Sequence, residues 1–370
     1  MKNFKSIFIL NLFLFLEINF LNCENKKLIV SVPVADFIEN PQDLEKFEPS
    51  FSSQLLLNDK LFLVLDCENG WLCVDCIEQQ EFCEGVFKFR RGYVRDYQVK
   101  EVKEFEDYDS VVKESWVNVF DINSNVIMAL SIGTKFKAHE IVDSVGALGS
   151  FLCLFLPDGR TGFVALDSVR FFIKPFEFDE EEMRKGVYIA AETFLNSHYC
   201  SGGRSADKLF FKSQGSEDEL DISDITQITG VCYSTLINLS YRSVGCEIPS
   251  STIDLFYNSN EVEKGCDLKK GDLIFFIYKI DGIKSTEVFL YLGNDEIIVT
   301  NKKKDFCFCR CLGKDFFGIC IEEMENEKIY RKKKVYLRSF LNNMQTIESM
   351  RVFFLSGKSD EKIRDRAVTV

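Results

Sequence analysis

The hydrophobic positions divide the chain into two regimes. From Leu28 to about residue 172 they recur with a period near two, in short runs separated by turn signals. That is the pattern of half-buried strands. LIVSVPVADF (28–37) alternates, with Pro33 tolerable only at an edge or a strand start. QLLLNDKLFLVLDCENGWLCVDC (54–76) reads as paired strands, with turns at Asn58-Asp59 and at Glu68-Asn69-Gly70. Arg91-Gly92-Tyr93-Val94 closes the unit. Strands this short, at this spacing, predict a small β-barrel over 28–100. SWVNVFDI (115–122), IMALSIGTKFKAHEIV (127–142) and FLCLFLPDGRTGFVALDSV (151–169) repeat the plan and predict a second barrel over 115–172. Pro157-Asp158-Gly159 is a strong turn, and Gly162-Phe163-Val164 echoes Gly92-Tyr93-Val94. The acidic stretch Glu101–Asp109 is the expected linker.

From about residue 178 the period lengthens. Asp179–Leu195 is acidic at its start and then apolar at helical spacing, and Val231–Tyr241 is helical in pattern. Between them lies a polar, Gly/Ser-rich loop, 201–224. Leu273–Tyr278, Glu287–Leu292 and Ile297–Thr300 read as strands. The whole predicts an α+β unit over 178–320, followed by a charged extension, 321–370, with an apolar patch at 352–355. The extension reads as a tail or a peripheral helix.

The first residues have a different character. Lys2 and Lys5 precede an apolar run from Ile7 to Leu16, interrupted by Asn11 and continued past Glu17 by Ile18–Leu21. A run this short with these flanks predicts an export signal, 1–23, rather than a membrane span. Phe-Leu-Asn-Cys (20–23) makes Cys23 a candidate for lipid attachment, although Asn22 stands where a small residue is preferred. The expected location is the periplasm or cell envelope, with no transmembrane span in the mature chain.

Charge narrows the partners. Acids outnumber bases by 58 to 45, for a net charge of −13 over 370 residues, which repels nucleic-acid phosphates and argues against a nucleic-acid partner. The chain has 14 cysteines but only two histidines, His139 and His198. Cys73-x-x-Cys76 and Cys307-x-Cys309-x-Cys311 have metal-hook spacing, yet along a strand the latter three share one sheet face. No metal and no cofactor are expected. Trp71 and Trp116 are read as packing residues of the barrels, with peptide contact the alternative for Trp71.

Six motifs in order carry a family resemblance: SVPVADF (31–37), SQLLL (53–57) with ENGWLCV (68–74), YCSGGRS (199–205), TGVCYSTLINLSYR (229–242), LKKGDLIFF (268–276) and STEVFLYLG (285–293). Together they resemble the NlpC-type papain-like cell-wall peptidases with two N-terminal bacterial SH3-like domains. The resemblance implies two SH3-like barrels followed by a papain-like α+β domain. It also implies cysteine-type cleavage of γ-D-glutamyl-diamino acid bonds in peptidoglycan peptides. The family chemistry uses a Cys at a helix N-terminus, a His on the adjacent strand as base, and a third polar residue that orients the imidazole.

Each of those positions differs here. The family's Gly-Val-Asp-Cys-Ser-Gly-Leu is Gly230-Val231-Cys232-Tyr233-Ser234-Thr235-Leu236. Tyr233 therefore stands at the nucleophile position, and Cys232 replaces an Asp that helps hold the substrate amine in relatives. Glu287 stands at the base and Val299 at the orienting position. Glu287 could pair with Tyr233, but a phenol near its ordinary pKa is a poor nucleophile at neutral pH. The expectation is an exported homologue without catalysis. It would bind peptidoglycan stem peptides or a protein partner, with Tyr93, Tyr199, Cys232 and Ser234 as candidate ligand contacts. The alternatives are an active cysteine endopeptidase with relocated residues, and a structural or interaction protein with no cell-wall ligand.

Overall fold

The computed structural model describes residues 26–40, 51–83, 86–143, 149–172, 179–205, 230–280, 283–301 and 306–341. The export signal with Cys23, most of the 201–224 loop and the 352–355 patch lie outside these residues.

The first unit holds β1 (Lys27–Val30), β2 (Val34–Ile38), β3 (Phe51–Leu56), β4 (Lys60–Asp66), β5 (Trp71–Cys83), β6 (Val86–Arg95) and β7 (Val99–Val102). They form one sheet in the order β3-β2-β6-β5-β4-β1-β7. The β3–β4 turn has Asn58 at φ 68°, and the β4–β5 turn has Asn69 at φ 66°, a left-handed conformation that Asn tolerates well. The inward positions, among them Val30, Phe37, Leu61, Val74 and Val94, make a buried cluster.

The second unit holds β8 (Ser110–Val112), β9 (Trp116–Phe120), β10 (Val126–Ser131), β11 (Lys135–Phe136), β12 (Ala138–Val142), β13 (Phe151–Phe155), β14 (Thr161–Ala165) and β15 (Val169–Phe171). These make a five-stranded sheet, β10-β9-β14-β13-β12, and a three-stranded sheet, β11-β8-β15. Between the described residues no closed barrel forms in either unit, which corrects the expectation of two barrels. The edge strand β3 is docked on the α+β unit, where Gln54 Oε1 accepts from the Arg204 amide at 2.8 Å.

The third unit is α+β. It contains α1 (Glu180–Glu192), β16 (Arg204–Ser205), β17 (Gly230–Val231), α2 (Tyr233–Arg242), α3 (Thr252–Asn258), β18 (Asn260–Glu261) and β19 (Leu273–Ile280). It continues with β20 (Ile283–Gly293), β21 (Glu296–Asn301), β22 (Cys307–Leu312), α4 (Gly313–Phe317), β23 (Ile329–Tyr330) and β24 (Lys333–Ser339). Helix α1 starts where expected, with the Asp179 carboxylate accepting from the Glu181 amide at 2.8 Å. The main sheet runs β18-β24-β19-β20-β21-β22, with β23 paired to β24. Residues 321–341 are therefore not a peripheral tail. Val335, Leu337 and Ser339 alternate into the core, and β24 lies directly against β19.

The units share one interior. Val34 and Leu56 of the first and Trp116, Ala129 and Ile132 of the second pack with Val187, Leu236, Leu239 and Phe275 of the third. Trp116 thus has the packing role expected of it. Trp71 is also buried, with the Arg95 guanidinium 3.9 Å from its ring centroid.

A buried charge cluster joins all three units. Asp59 accepts from Arg242 at 2.6 Å and from Arg204 at 2.9 Å. Glu78 accepts from Arg242 at 2.7 Å and from Lys135 at 2.9 Å. Lys135 also meets Glu247 at 2.9 Å. Three carboxylates thus face three cations. Arg204 belongs to the YCSGGRS motif and Arg242 ends TGVCYSTLINLSYR, so both conspicuous arginines are spent on docking the N-terminal units. Burial alone would raise the Asp59 carboxyl, but the two guanidiniums outweigh it and hold that carboxyl well below the usual range.

Candidate functional site

The site forms where the YCSGGRS loop meets the start of α2. Tyr199 bridges Val231 in parallel, with the Val231 amide donating to the His198 carbonyl at 3.2 Å and the Cys200 amide to the Val231 carbonyl at 3.0 Å. The chain then turns, and Arg204 and Ser205 pair antiparallel with Val231 and Gly230. Thr235 Oγ1 donates to the Gly203 carbonyl at 2.6 Å and accepts from the Cys232 amide at 2.9 Å, which caps the helix and holds the loop to it. Gly203 and Gly230 allow the close crossing. A Cβ on Gly203 would sit 2.4 Å from the Gly230 carbonyl oxygen. Gly203→Ala is expected to lower stability by about 1–3 kcal/mol through this clash, read as a fall in Tm.

Tyr233 fills the space between this loop and the sheet. Its ring centroid lies 5.8 Å from that of Tyr199, 5.5 Å from Phe289 and 5.3 Å from Phe308, in edge-on or tilted contacts that favour aromatic pairs. Its hydroxyl is 2.9 Å from Thr300 Oγ1 and accepts from the Thr300 amide at 2.7 Å. Burial pushes the phenol pKa up, and the Thr300 bonds only partly offset this. The phenol is therefore neutral at physiological pH and already hydrogen-bonded, the reverse of an activated nucleophile.

The pairing of Glu287 with Tyr233 is not made. Glu287 Oε1 accepts from the Tyr278 hydroxyl at 2.8 Å and Oε2 from Lys333 Nζ at 2.7 Å. Lys333 also lies 4.2 Å from the Tyr278 ring centroid. Both oxygens of this carboxylate are thus engaged away from Tyr233. Val299 is buried opposite Cys309, in an apolar cluster with Phe276, Phe289 and Phe317. The three family positions are thus brought to one region but make no relay.

Cys232 is half-buried at the N-cap of α2, with Sγ 3.1 Å from Thr235 Oγ1 and 3.4 Å from Ser234 Oγ. Ser234 is buried beside it. Tyr199 is the exposed member, with 40% of its surface accessible. Tyr93 belongs to the first unit, across from Cys73 on β5. The His139 ring lies tilted against Phe155 in the second unit, with centroids 3.9 Å apart. His198 pairs through its backbone with Cys307. Cys307, Cys309 and Cys311 do share one face of β22. Among the described residues no group of three His, Cys, Asp or Glu side chains is arranged to hold a metal ion. Thr300, Tyr278 and Lys333, which claim the polar atoms of Tyr233 and Glu287, were not singled out from the sequence. The available signal for Thr300 was its place next to Val299 on a strand, pointing to the other face.

The N-terminus of α2 thus faces the strands of the main sheet, through the contacts of Tyr233 with Phe289, Thr300 and Phe308. Residues 226–310 match the NlpC/P60 family. Three solved structures illustrate the likeness. An NlpC/P60 family protein from Bacillus cereus ATCC 10987 superposes with TM-score 0.59 at 17% identity, covering 85% of this chain and 99% of that one. An NlpC/P60 endopeptidase from Photobacterium damselae subsp. piscicida gives TM-score 0.49 at 12% identity, covering 87% and 74%. NlpC2 from Trichomonas vaginalis gives 0.33 at 13%, covering 84% and 96%. No curated protein matches the chain. No helix among the described residues is long and apolar enough to cross a membrane.

Proposed function

We propose that this protein is an exported, non-catalytic NlpC/P60 homologue that binds peptidoglycan stem peptides, or a protein partner, through the rim of its cleft. The observation that carries the reading is Tyr233: at the nucleophile position, its hydroxyl is committed to Thr300 and its ring is held by Tyr199, Phe289 and Phe308. Glu287, at the base position, is likewise committed to Tyr278 and Lys333. Without a thiolate and an imidazole the family mechanism has neither attacking group nor proton acceptor. What stays available is the rim, with Tyr199 exposed and Cys232 half-buried. Tyr93 is a second rim candidate, set on the first SH3-like unit. The N-terminal signal pattern supports delivery to the cell envelope, with Cys23 as the attachment point if the chain is lipidated.

The test uses the mature protein with L-Ala-γ-D-Glu-diaminopimelate peptides and isolated sacculi. No peptide cleavage is expected, with binding that Tyr199→Ala weakens about tenfold, the loss of one aromatic contact. Cleavage that a cleft substitution abolishes would end the non-catalytic reading in favour of an active endopeptidase. Failure to bind either ligand would favour a structural or interaction protein with no cell-wall ligand.

A further inference from the structure

We propose that Cys200 and Cys232 form a dithiol–disulfide pair that clamps the Tyr199 loop to the start of α2. This does not depend on which ligand the cleft takes.

The backbone places the two residues side by side. Tyr199 and Val231 make a parallel bridge with both of its hydrogen bonds, Val231 to the His198 carbonyl at 3.2 Å and Cys200 to the Val231 carbonyl at 3.0 Å. Cys200 and Cys232 are the next residues on the two strands. Neighbouring strands lie about 4.8 Å apart, within the separation of about 4.4–6.8 Å between Cα atoms that a disulfide spans. Alternation settles the face. The Cys200 Cβ lies 2.9 Å from where a Cβ on Gly230 would be, so it is on the Gly230 side of the strand, which Cys232 shares two residues later. Gly203 and Gly230, without side chains, keep that side open. The thiols feel each other electrostatically, since the Cys232 charge contributes to raising the Cys200 thiol, behind burial. Both cysteines are half-buried free thiols rather than sealed core residues. Cys76 and Cys246, by contrast, are fully buried.

The oxidant is a small disulfide, RSSR. One cysteine thiolate attacks a sulfur of RSSR, forming a mixed disulfide and releasing RS⁻. The second thiolate attacks the protein sulfur of that mixed disulfide and releases the other RS⁻. The two thiol protons end on the two RSH, so the protein dithiol is oxidised and RSSR is reduced. The new bond would tie the YCSGGRS loop to the residue before Tyr233, stiffening the mouth of the cleft from outside.

The full-length mature protein is equilibrated in a series of reduced and oxidised glutathione, quenched by alkylation and mapped by peptide mass spectrometry. A Cys200–Cys232 cross-link is the expected product, with the mass of two hydrogens lost. Oxidation should raise Tm by about 5 °C, as a closed loop of this length implies, and reductant should reverse it. In Cys200→Ser and in Cys232→Ser the remaining cysteine should instead hold a stable glutathione adduct, with no rise in Tm. Serine is itself a good N-cap, so Cys232→Ser keeps the fold, and the cysteine-to-serine change at Cys200 provides the second variant. A cross-link between other cysteines, or full alkylation of Cys200 and Cys232 at the oxidising end, overturns the proposal.

Discussion

Replacing Arg242 with Met is expected to remove about 3–5 kcal/mol of folding stability, the usual consequence of stranding a buried carboxylate. Arg242 donates to Asp59 and to Glu78, and the side chains of all three are at most 4% exposed. Its loss leaves the cluster with one uncompensated negative charge in the interior. A domain typically has about 5–15 kcal/mol in hand, so the variant should be partly unfolded at 37 °C. Because the cluster joins the first, second and third units, they should melt together in the native protein and separately in the variant. Denaturant unfolding followed by circular dichroism and by Trp fluorescence from Trp71 and Trp116 tests this. A second change, Asp59→Asn, restores charge balance and should make the double variant less destabilised than the sum of the two singles. Strict additivity would sink the charge-cluster account.

The same cluster sets an acid limit. Asp59 and Glu247 are both held below the usual carboxylate range; in each, burial pushes the carboxyl up and neighbouring cations more than offset it. A carboxyl depressed in the folded state contributes stability that is full above its unfolded value and is lost as pH falls below it. Glu78 is shifted up by burial, which works the other way. Tm of the native protein is therefore expected to fall as pH drops below about 4. In Arg242→Met the fall should be shallower, since Asp59 has lost one of the cations that depress it.

The strand-rich half was legible because a one-sided sheet writes its burial as a period of two. Asn58 and Asn69 marked their turns for a local reason, the tolerance of Asn for positive φ. Helix α1 was legible through Asp179 and the acids that follow it. What depended on distant partners was not. Asp59 lies 145 residues from Arg204 and 183 from Arg242, and in sequence it looks like one half of an Asn-Asp turn. The barrels were expected closed because a period of two reads the same in an open sheet as in a closed one. β24 was hidden by its own lysines. KKKVYLRS alternates correctly through Val335, Leu337 and Ser339, but flanking charge made it look like tail. Tyr233, Glu287 and Val299 were picked out by alignment to a motif, whereas the partners of Tyr233 and Glu287 were not. Thr300 is visible only once Tyr233 is seen to reach past Val299, and Lys333 only once β24 is seen beside β19.

Tyr233 gives the sharpest test of the proposed non-catalytic reading. Tyr233→Ala should cost about 3 kcal/mol, as for other buried aromatic truncations, because the ring contacts of Tyr199, Phe289 and Phe308 all end on it. Tyr233→Phe keeps those contacts and loses only the Thr300 hydrogen bonds, a cost of about 1 kcal/mol. The difference between the two, measured by denaturant unfolding, is the packing worth of the ring in the cleft. Equal losses would mean that the hydroxyl, not the ring, is what holds Tyr233 in place. Tyr233→Cys is the chemical counterpart. It puts a thiol at the head of α2, but Glu287 remains bound to Tyr278 and Lys333 and Val299 offers no hydrogen bond. A thiol without a base stays largely protonated at neutral pH. The variant should be alkylated slowly by iodoacetamide at position 233 and should not turn over stem peptide. Hydrolysis by this single substitution would show that proton transfer survives elsewhere in the cleft, and that the loss of the nucleophile alone separates this protein from an active peptidase.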